Sequence, residues 1–233
     1  MATLTKNPLF AMLDTETVYL KKRVYELALI IFDSVTCEVI TSKKWYIKET
    51  LEGAVYYQLR HSKPPIFWPS RLNALSLLKD AVAWQDAIAE FLTLLEINGV
   101  SSLIAHNVNF DINAIYATEN KIRGMNAGGP FLANYEKLEL SGFFVHGLPL
   151  MAAYNVPYKL KSGCMTFKAD YLVPCFTNGT QNHDALGDCY NQLELYKLTK
   201  GKYQNQGTIY HNMLAHHRLK HAGNKRLGSD SLE

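Results

Sequence analysis

Cysteine and net charge are scarce in this sequence, and each scarcity excludes a class of protein. The 233 residues include four cysteines, none in a Cys-x-x-Cys pair and none with zinc-finger spacing. A disulfide-rich secreted scaffold and a structural zinc module are therefore both unexpected. The formal net charge is only +3, too small for a protein that coats duplex nucleic acid but sufficient for an enzyme that contacts a few phosphates.

Long apolar runs are absent as well. No stretch approaches the roughly 20 apolar residues that a membrane-spanning helix requires. The apolar run at 8–13 is too short for a secretion signal and leads directly into acidic residues. We therefore expect a cytoplasmic protein with reduced thiols and no membrane association. With 48% hydrophobic residues, the chain can bury a sizeable core in one domain.

What is present is a pattern of strands followed by alternating helices and strands. Apolar and β-branched runs predict strands at 9–13, 24–32, 38–47, 102–105 and 142–145. Helical spacing predicts helices at 72–95, 111–120 and 184–198, whereas 50–70 is interpreted as a long irregular segment with at most one short helix. This order predicts a mixed α/β sheet flanked by helices.

Asp14 and Glu16 follow the first apolar run. On an extended strand, residues i and i+2 point to the same side, so the two carboxylates lie next to each other. Such like charges repel unless a cation lies between them, and Mg²⁺ and Mn²⁺ prefer carboxylate oxygens. The pattern fits either a metal site or an acidic surface turn.

Asp111 is the second acidic candidate. It follows the strand at 102–105 and lies in the first turn of the next helix, for which Asn109 is the expected N-cap. Asp111 either binds a metal or only complements the positive end of the helix.

His183 and Asp188 form the third element. Five residues correspond to about 140° around a helix, so the two side chains would diverge if both residues were helical. We therefore place His183 on the loop before the helix, with its ring turned towards a metal held by Asp188. A lone histidine would otherwise be interpreted as a structural or surface residue.

The segments FAMLDTET (10–17), LIAHNVNFDINAI (103–115) and HDALGD (183–188) resemble, in this order, the three motifs of the DnaQ-like exonucleases of the DEDDh subgroup. The segment at 25–28 (YELA) also resembles the stretch that follows the first motif. The resemblance covers about 9–198. Two positions depart from the family pattern: Val18-Tyr19 replaces Thr-Gly, and His146-Gly147 replaces an Asp-Thr that many members have after the second motif.

This resemblance implies a ribonuclease H-like fold with a central five-stranded mixed sheet flanked by helices. The exonuclease domain would be 1–200, and 201–233 would be a basic C-terminal extension, either helical or partly disordered. Two divalent ions, Mg²⁺ or Mn²⁺, would be held by Asp14, Glu16, Asp111 and Asp188. His183 would be the general base, and the residues expected to contact substrate are Thr15, Thr17, His106 and Asn107.

The implied activity is 3′–5′ exonucleolytic release of nucleoside 5′-monophosphates, with single-stranded DNA favoured over RNA. One alternative is an exoribonuclease that trims RNA ends, and another is a proofreading subunit bound to a polymerase. For partner chains, a homodimer is the alternative to a polymerase. A non-catalytic nucleic-acid-binding module would be marked by loss of an acidic position, but all four are present.

Overall fold

The structure is a computed structural model that describes residues 7–18, 23–60, 74–124, 130–140, 169–177, 183–199 and 204–205. In these ranges the chain forms a seven-stranded sheet with the order β4-β3-β2-β1-β5-β6-β7. The strands are β1 (Leu9–Val18), β2 (Arg23–Asp33), β3 (Val39–Ile47), β4 (Ala81–Val82), β5 (Val100–Ala105), β6 (Glu136–Glu139) and β7 (Gln204–Asn205). The sheet is mixed, because β1, β2 and β3 are antiparallel whereas β1, β5 and β6 are parallel.

Six α-helices accompany the sheet in the described residues. They are α1 (Lys48–Arg60), α2 (Ala74–Leu77), α3 (Trp84–Ile97), α4 (Val108–Arg123), α5 (Ala169–Phe176) and α6 (Ala185–Thr199). The amphipathic spacing of α3 buries Trp84, Phe91 and Leu95 on one side, as expected for a helix that covers a sheet. The helix ends at Ile97, and Gly99 two residues later has a φ of 61°, the left-handed conformation typical of a residue after a helix.

The sheet has an apolar core on each face, and strand β1 shows how the sequence builds both. Leu9, Ala11 and Leu13 contribute to the core that contains residues of α3 and α4. Phe10 and Met12 point the opposite way, into the core that contains residues of α5 and α6. The two-residue alternation of a strand therefore decides which helices each side chain of β1 meets.

The predicted ribonuclease H-like sheet is confirmed, and its strands differ in detail from the prediction. The five longer strands form the central mixed sheet, and the two-residue strands β4 and β7 extend its edges. The strand predicted at 142–145 lies outside the described residues. The fifth longer strand is β6, which the sequence pattern did not reveal because its segment EKLE has a single apolar residue.

Two helical predictions differ from the structure. The segment 50–70, expected to be irregular with at most one short helix, begins within helix α1, which buries Leu51 and Ala54 against Ala74; residues 61–73 lie outside the described ranges. The helix predicted at 72–95 is interrupted by a 3-10 turn (Leu78–Asp80) and by β4. At the interruption, Ala81 and Val82 pair with the edge of β3 as strand β4. This pairing satisfies backbone groups of these two residues that a continuous helix would otherwise satisfy.

Strand β7 lies in the segment 201–233 and pairs antiparallel with β6. The division into a domain at 1–200 and an extension at 201–233 stays a prediction. The rest of 201–233 is outside the described residues. Cys37 and Cys189 are buried free thiols. Among the helices that the structure describes, none has the length and apolar character needed to cross a membrane.

Candidate active site

Strand β1 continues beyond its partner β5, and this overhang creates the site. The pairing of β1 with β5 ends at Met12, whereas its pairing with β2 extends to Val18. The sequence prediction ended the strand at residue 13, but Asp14 and Glu16 are in fact part of it. By the alternation of the strand, both carboxylates lie on the sheet face covered by α6.

Helix α4 brings Asp111 to the same overhang. Oδ1 of Asp111 accepts hydrogen bonds from the backbone N–H of Thr15 (2.9 Å) and from its hydroxyl (2.8 Å). These bonds use the edge of β1 that β5 no longer covers. Asp111 is buried, with 3% of its surface exposed, so it is fixed against the strand that holds the first two carboxylates.

The start of α4 is fixed by a residue that the sequence analysis did not identify. Buried Glu139, at the end of β6, accepts hydrogen bonds from the backbone N–H groups of Asn107 (2.6 Å) and Val108 (3.0 Å). The N-cap is Asn107, in a left-handed conformation with φ 71°. The expectation that Asn109 is the cap was wrong, because the distant carboxylate of Glu139 satisfies the first amides and lets the helix begin at Val108.

Helix α6 adds Asp188 and His183 from the other sheet face. His183 precedes the helix, as the 140° argument predicted, and Asp188 is buried in its first turn. Glu16, His183 and Asp188 each offer a ligand atom within 4.8 Å of the others. Nδ1 of His183 lies 3.8 Å from Oε1 of Glu16. Segments more than 160 residues apart therefore converge on one site.

Gln192 is a second contributor that the sequence analysis missed. Its side-chain amide donates to Oδ1 of Asp14 (2.8 Å), and its carbonyl oxygen accepts from the backbone N–H of His106 (3.0 Å). Gln192 is buried and lies one helical turn after Asp188. That i,i+4 spacing on a shared helix face was the available signal.

The electrostatics of the site follow from this crowding. Burial, together with the charges of Asp111, Asp188 and Glu16, raises the pKa of Asp14 well above its ordinary value, against the opposing bond from Gln192. Burial raises the pKa of Asp111 to about 8, although the hydrogen bonds from Thr15 lower it. Ionised carboxylates in this arrangement require positive charge nearby.

The donor set fits a hard divalent cation. Asp14, Glu16, Asp111 and Asp188 supply oxygen ligands of the type that Mg²⁺ and Mn²⁺ prefer, and their mutual repulsion is what a bound cation would remove. Two helices also begin beside the site, and the partial positive charge of a helix N-terminus favours anions such as phosphate.

The four residues predicted to contact substrate occupy different environments. Thr15 is buried and its hydroxyl is directed to Asp111, so its side chain supports a carboxylate. Thr17 and His106 are partly exposed and Asn107 is exposed. It stays a prediction that Thr15, Thr17, His106 and Asn107 contact substrate.

The sheet order and the helices on both faces define a ribonuclease H-like α/β fold. Solved structures share it. The chain is 19% identical to Escherichia coli exonuclease I in complex with a dA16 oligonucleotide, with a TM-score of 0.61, and the match covers 93% of this chain and 46% of that chain. For a product-bound structure of exonuclease I the identity is 18%, the TM-score 0.59 and the coverage 92% and 48%.

A zinc-bound form of the E. coli exonuclease I complex with single-stranded DNA matches similarly, with 18% identity, a TM-score of 0.58 and coverage of 92% and 45%. At these identities the similarity establishes the fold alone. The chain spans slightly less than half of the exonuclease I chains. No protein-family model and no curated protein matches the sequence.

Proposed function

We propose that this chain is a DnaQ-like 3′–5′ exonuclease of the DEDDh subgroup that removes nucleoside 5′-monophosphates from single-stranded ends, with DNA favoured. The observation that supports this most strongly is the convergence of four carboxylates and one histidine at the end of β1. It occurs in a fold shared with exonuclease I, which has been solved with DNA oligonucleotides.

The metal-binding part of the proposal assigns Asp14, Glu16, Asp111 and Asp188 as ligands for two divalent ions, Mg²⁺ or Mn²⁺. Bound there, such ions supply Lewis-acid stabilisation of charge on the phosphate and make a nearby water more acidic. Thr15 and Gln192 hold Asp111 and Asp14 in place through hydrogen bonds, so the ligands are oriented before a cation arrives.

His183 is proposed as the general base. Its Nδ1 faces Oε1 of Glu16, which leaves Nε2 as the ring nitrogen available to accept a proton from the attacking water. The negative charge of Glu16 then stabilises the imidazolium ion that forms. The side chain is 60% exposed, so water and a substrate end can reach it.

A digestion panel tests the activity. It uses 5′-labelled single-stranded DNA, duplex DNA and RNA, each with a free or a blocked 3′ end, in Mn²⁺ or in excess EDTA. We expect progressive shortening of the labelled strand from free 3′ ends of single-stranded DNA in Mn²⁺, and none in EDTA. Cleavage of blocked substrates, or full activity in EDTA, would contradict the proposal.

Two variants separate this activity from a contaminating nuclease. Asp188→Ala should lower turnover by orders of magnitude because it removes a buried metal ligand. Glu194→Gln, on the same helix but in an exposed pair with Lys197, should match the parent. Faster digestion of RNA than of DNA in the same panel would favour the exoribonuclease alternative. The homodimer and the polymerase partner stay predictions.

A further inference from the structure

The loop that bears His183 is held in an uncommon conformation. The φ of His183 is 53°, in the left-handed region that residues other than glycine rarely occupy. Such backbone strain persists only where the surrounding structure enforces it. The side chain of His183 is mostly exposed, and its contact with Glu16 spans 3.8 Å from Nδ1 to Oε1. The two residues that follow it, Asp184 and Ala185, are bonded to the sheet at shorter distances.

Both attachments run through strands β2 and β3. Nζ of Lys44 lies 2.8 Å from Oδ1 of Asp184, and the backbone N–H of Ala185 donates to Oε1 of Glu26 (3.1 Å). Lys44 also lies 3.4 Å from Oε1 of Glu26, so one ammonium group contacts both carboxyls. We call Glu26, Lys44 and Asp184 the helix-start clamp.

The charges of the helix-start clamp depend on one another, because Lys44 contacts the carboxyls of both Glu26 and Asp184. Glu26 is buried, with 4% of its surface exposed, and burial together with the neighbouring carboxyl of Asp184 raises its pKa to about 8. Burial lowers the pKa of Lys44, but its bond to Asp184 and the charge of Glu26 outweigh this and raise the pKa above the ordinary value. Lys44 thus stays charged and links sheet to loop.

Resting on the proposed function, we infer that the helix-start clamp positions His183 for proton transfer, with Lys44 as its central group. None of its members belongs to the metal-binding set. Lys44 and Asp184 lie 140 residues apart, and their contact fixes the residue directly after the base. Small displacements of a catalytic group are costly, because a shift of about 1 Å can reduce a rate by about 100-fold.

A double-mutant cycle tests this inference. Lys44→Met keeps the aliphatic stem but removes the charge, and we expect it to lower kcat on single-stranded DNA by about 10- to 100-fold while KM changes less than about threefold. Lys44→Arg should restore most of the rate. The matched control is Lys43→Met, since Lys43 lies on the opposite face of β3, pairs with Glu90 and should leave kcat unchanged.

The same substitution made in a His183→Ala background gives the decisive comparison. If Lys44 acts through His183, Lys44→Met should cause little further loss there. An equal loss in both backgrounds would overturn the inference while leaving the proposed function intact. A His183→Ala protein as fast as the parent would instead contradict the assignment of the base.

A measurement without turnover completes the test. The Hε1–Cε1 NMR signal of His183, assigned with a His183→Gln variant, should shift or broaden in Lys44→Met and stay unchanged in Lys43→Met. If Lys44→Met unfolds at the assay temperature, Asp184→Asn, which keeps the shape of the side chain, replaces it under the same criteria. An unshifted signal in a folded clamp variant would overturn the inference.

Discussion

Replacing Asp14 with asparagine should stabilise the metal-free protein at pH 8 and abolish nuclease activity. Asparagine keeps an oxygen that can accept the hydrogen bond from Gln192, so the change removes charge with little change of shape. The reason for a gain in stability is that burial and the neighbouring carboxylates both disfavour the charged form of Asp14 and so raise its pKa. Function and stability therefore make opposite demands on this residue.

The size of the effect follows from the spacing in the site. Ligand oxygens of Glu16 and Asp188 lie within 4.8 Å, and two such charges repel by about 3 kcal/mol at an effective dielectric constant of about 20. Asp14 feels the same neighbours, and relaxation reduces the gain, so we expect Asp14→Asn to add about 1–3 kcal/mol. A gain of 2 kcal/mol corresponds to about 4–8 °C in Tm for a chain of this length.

The stability gain from Asp14→Asn should depend on pH, and the raised pKa values fix the direction of this dependence. A carboxyl whose pKa is raised on folding stabilises the protein fully below its unfolded pKa, and this contribution is lost as pH rises through the folded pKa. With the pKa of Asp111 raised to about 8 and that of Asp14 raised as well, the metal-free parent should lose stability between about pH 4 and pH 8. The Asp14→Asn variant should lose less stability over the same pH range, because it lacks one of these carboxyls.

Thermal unfolding followed by circular dichroism, in EDTA at pH 5 and pH 8, measures this difference. The control is Glu194→Gln, outside the cluster, which should lie within about 0.5 kcal/mol of the parent. Mn²⁺ at 100 times its Kd should add about 2.7 kcal/mol to the parent and less to Asp14→Asn at the same concentration. An Asp14→Asn protein that melts below the parent at pH 8 in EDTA would refute the reasoning.

Three other substitutions probe the supports of the site and the core. Gln192→Leu removes the amide that orients Asp14, so calorimetry should show a Kd for Mn²⁺ about tenfold higher; an unchanged Kd would contradict that role. Glu139→Ala leaves the first amides of α4 without their acceptor and should cost about 2–4 kcal/mol in urea unfolding, and a loss under 0.5 kcal/mol would mean that the cap is dispensable. Phe91→Ala should cost about 3–5 kcal/mol yet leave Mn²⁺ affinity unchanged, because Phe91 of α3 is buried in the core on the sheet face opposite α6.

Local patterns in the sequence predicted the elements that bear the candidate ligands. The apolar run before Asp14 predicted β1, and the angular separation of His183 and Asp188 placed the histidine before the helix. The residues that support the ligands escaped prediction because their contacts join distant segments. Gln192 and Asp14 are 178 residues apart, and no local periodicity relates them.

The sequence by itself determined which residue types follow each strand and on which side of β1 the carboxylates point, because side-chain direction follows from the geometry of a single element. Only the tertiary structure decided that β5 ends two residues before Asn107 and leaves the edge of β1 open at Thr15. That early end lets Asp111 bind the strand and meet side chains from the other face. The register between β1 and β5 depends on how the two cores pack together, and no single segment encodes it.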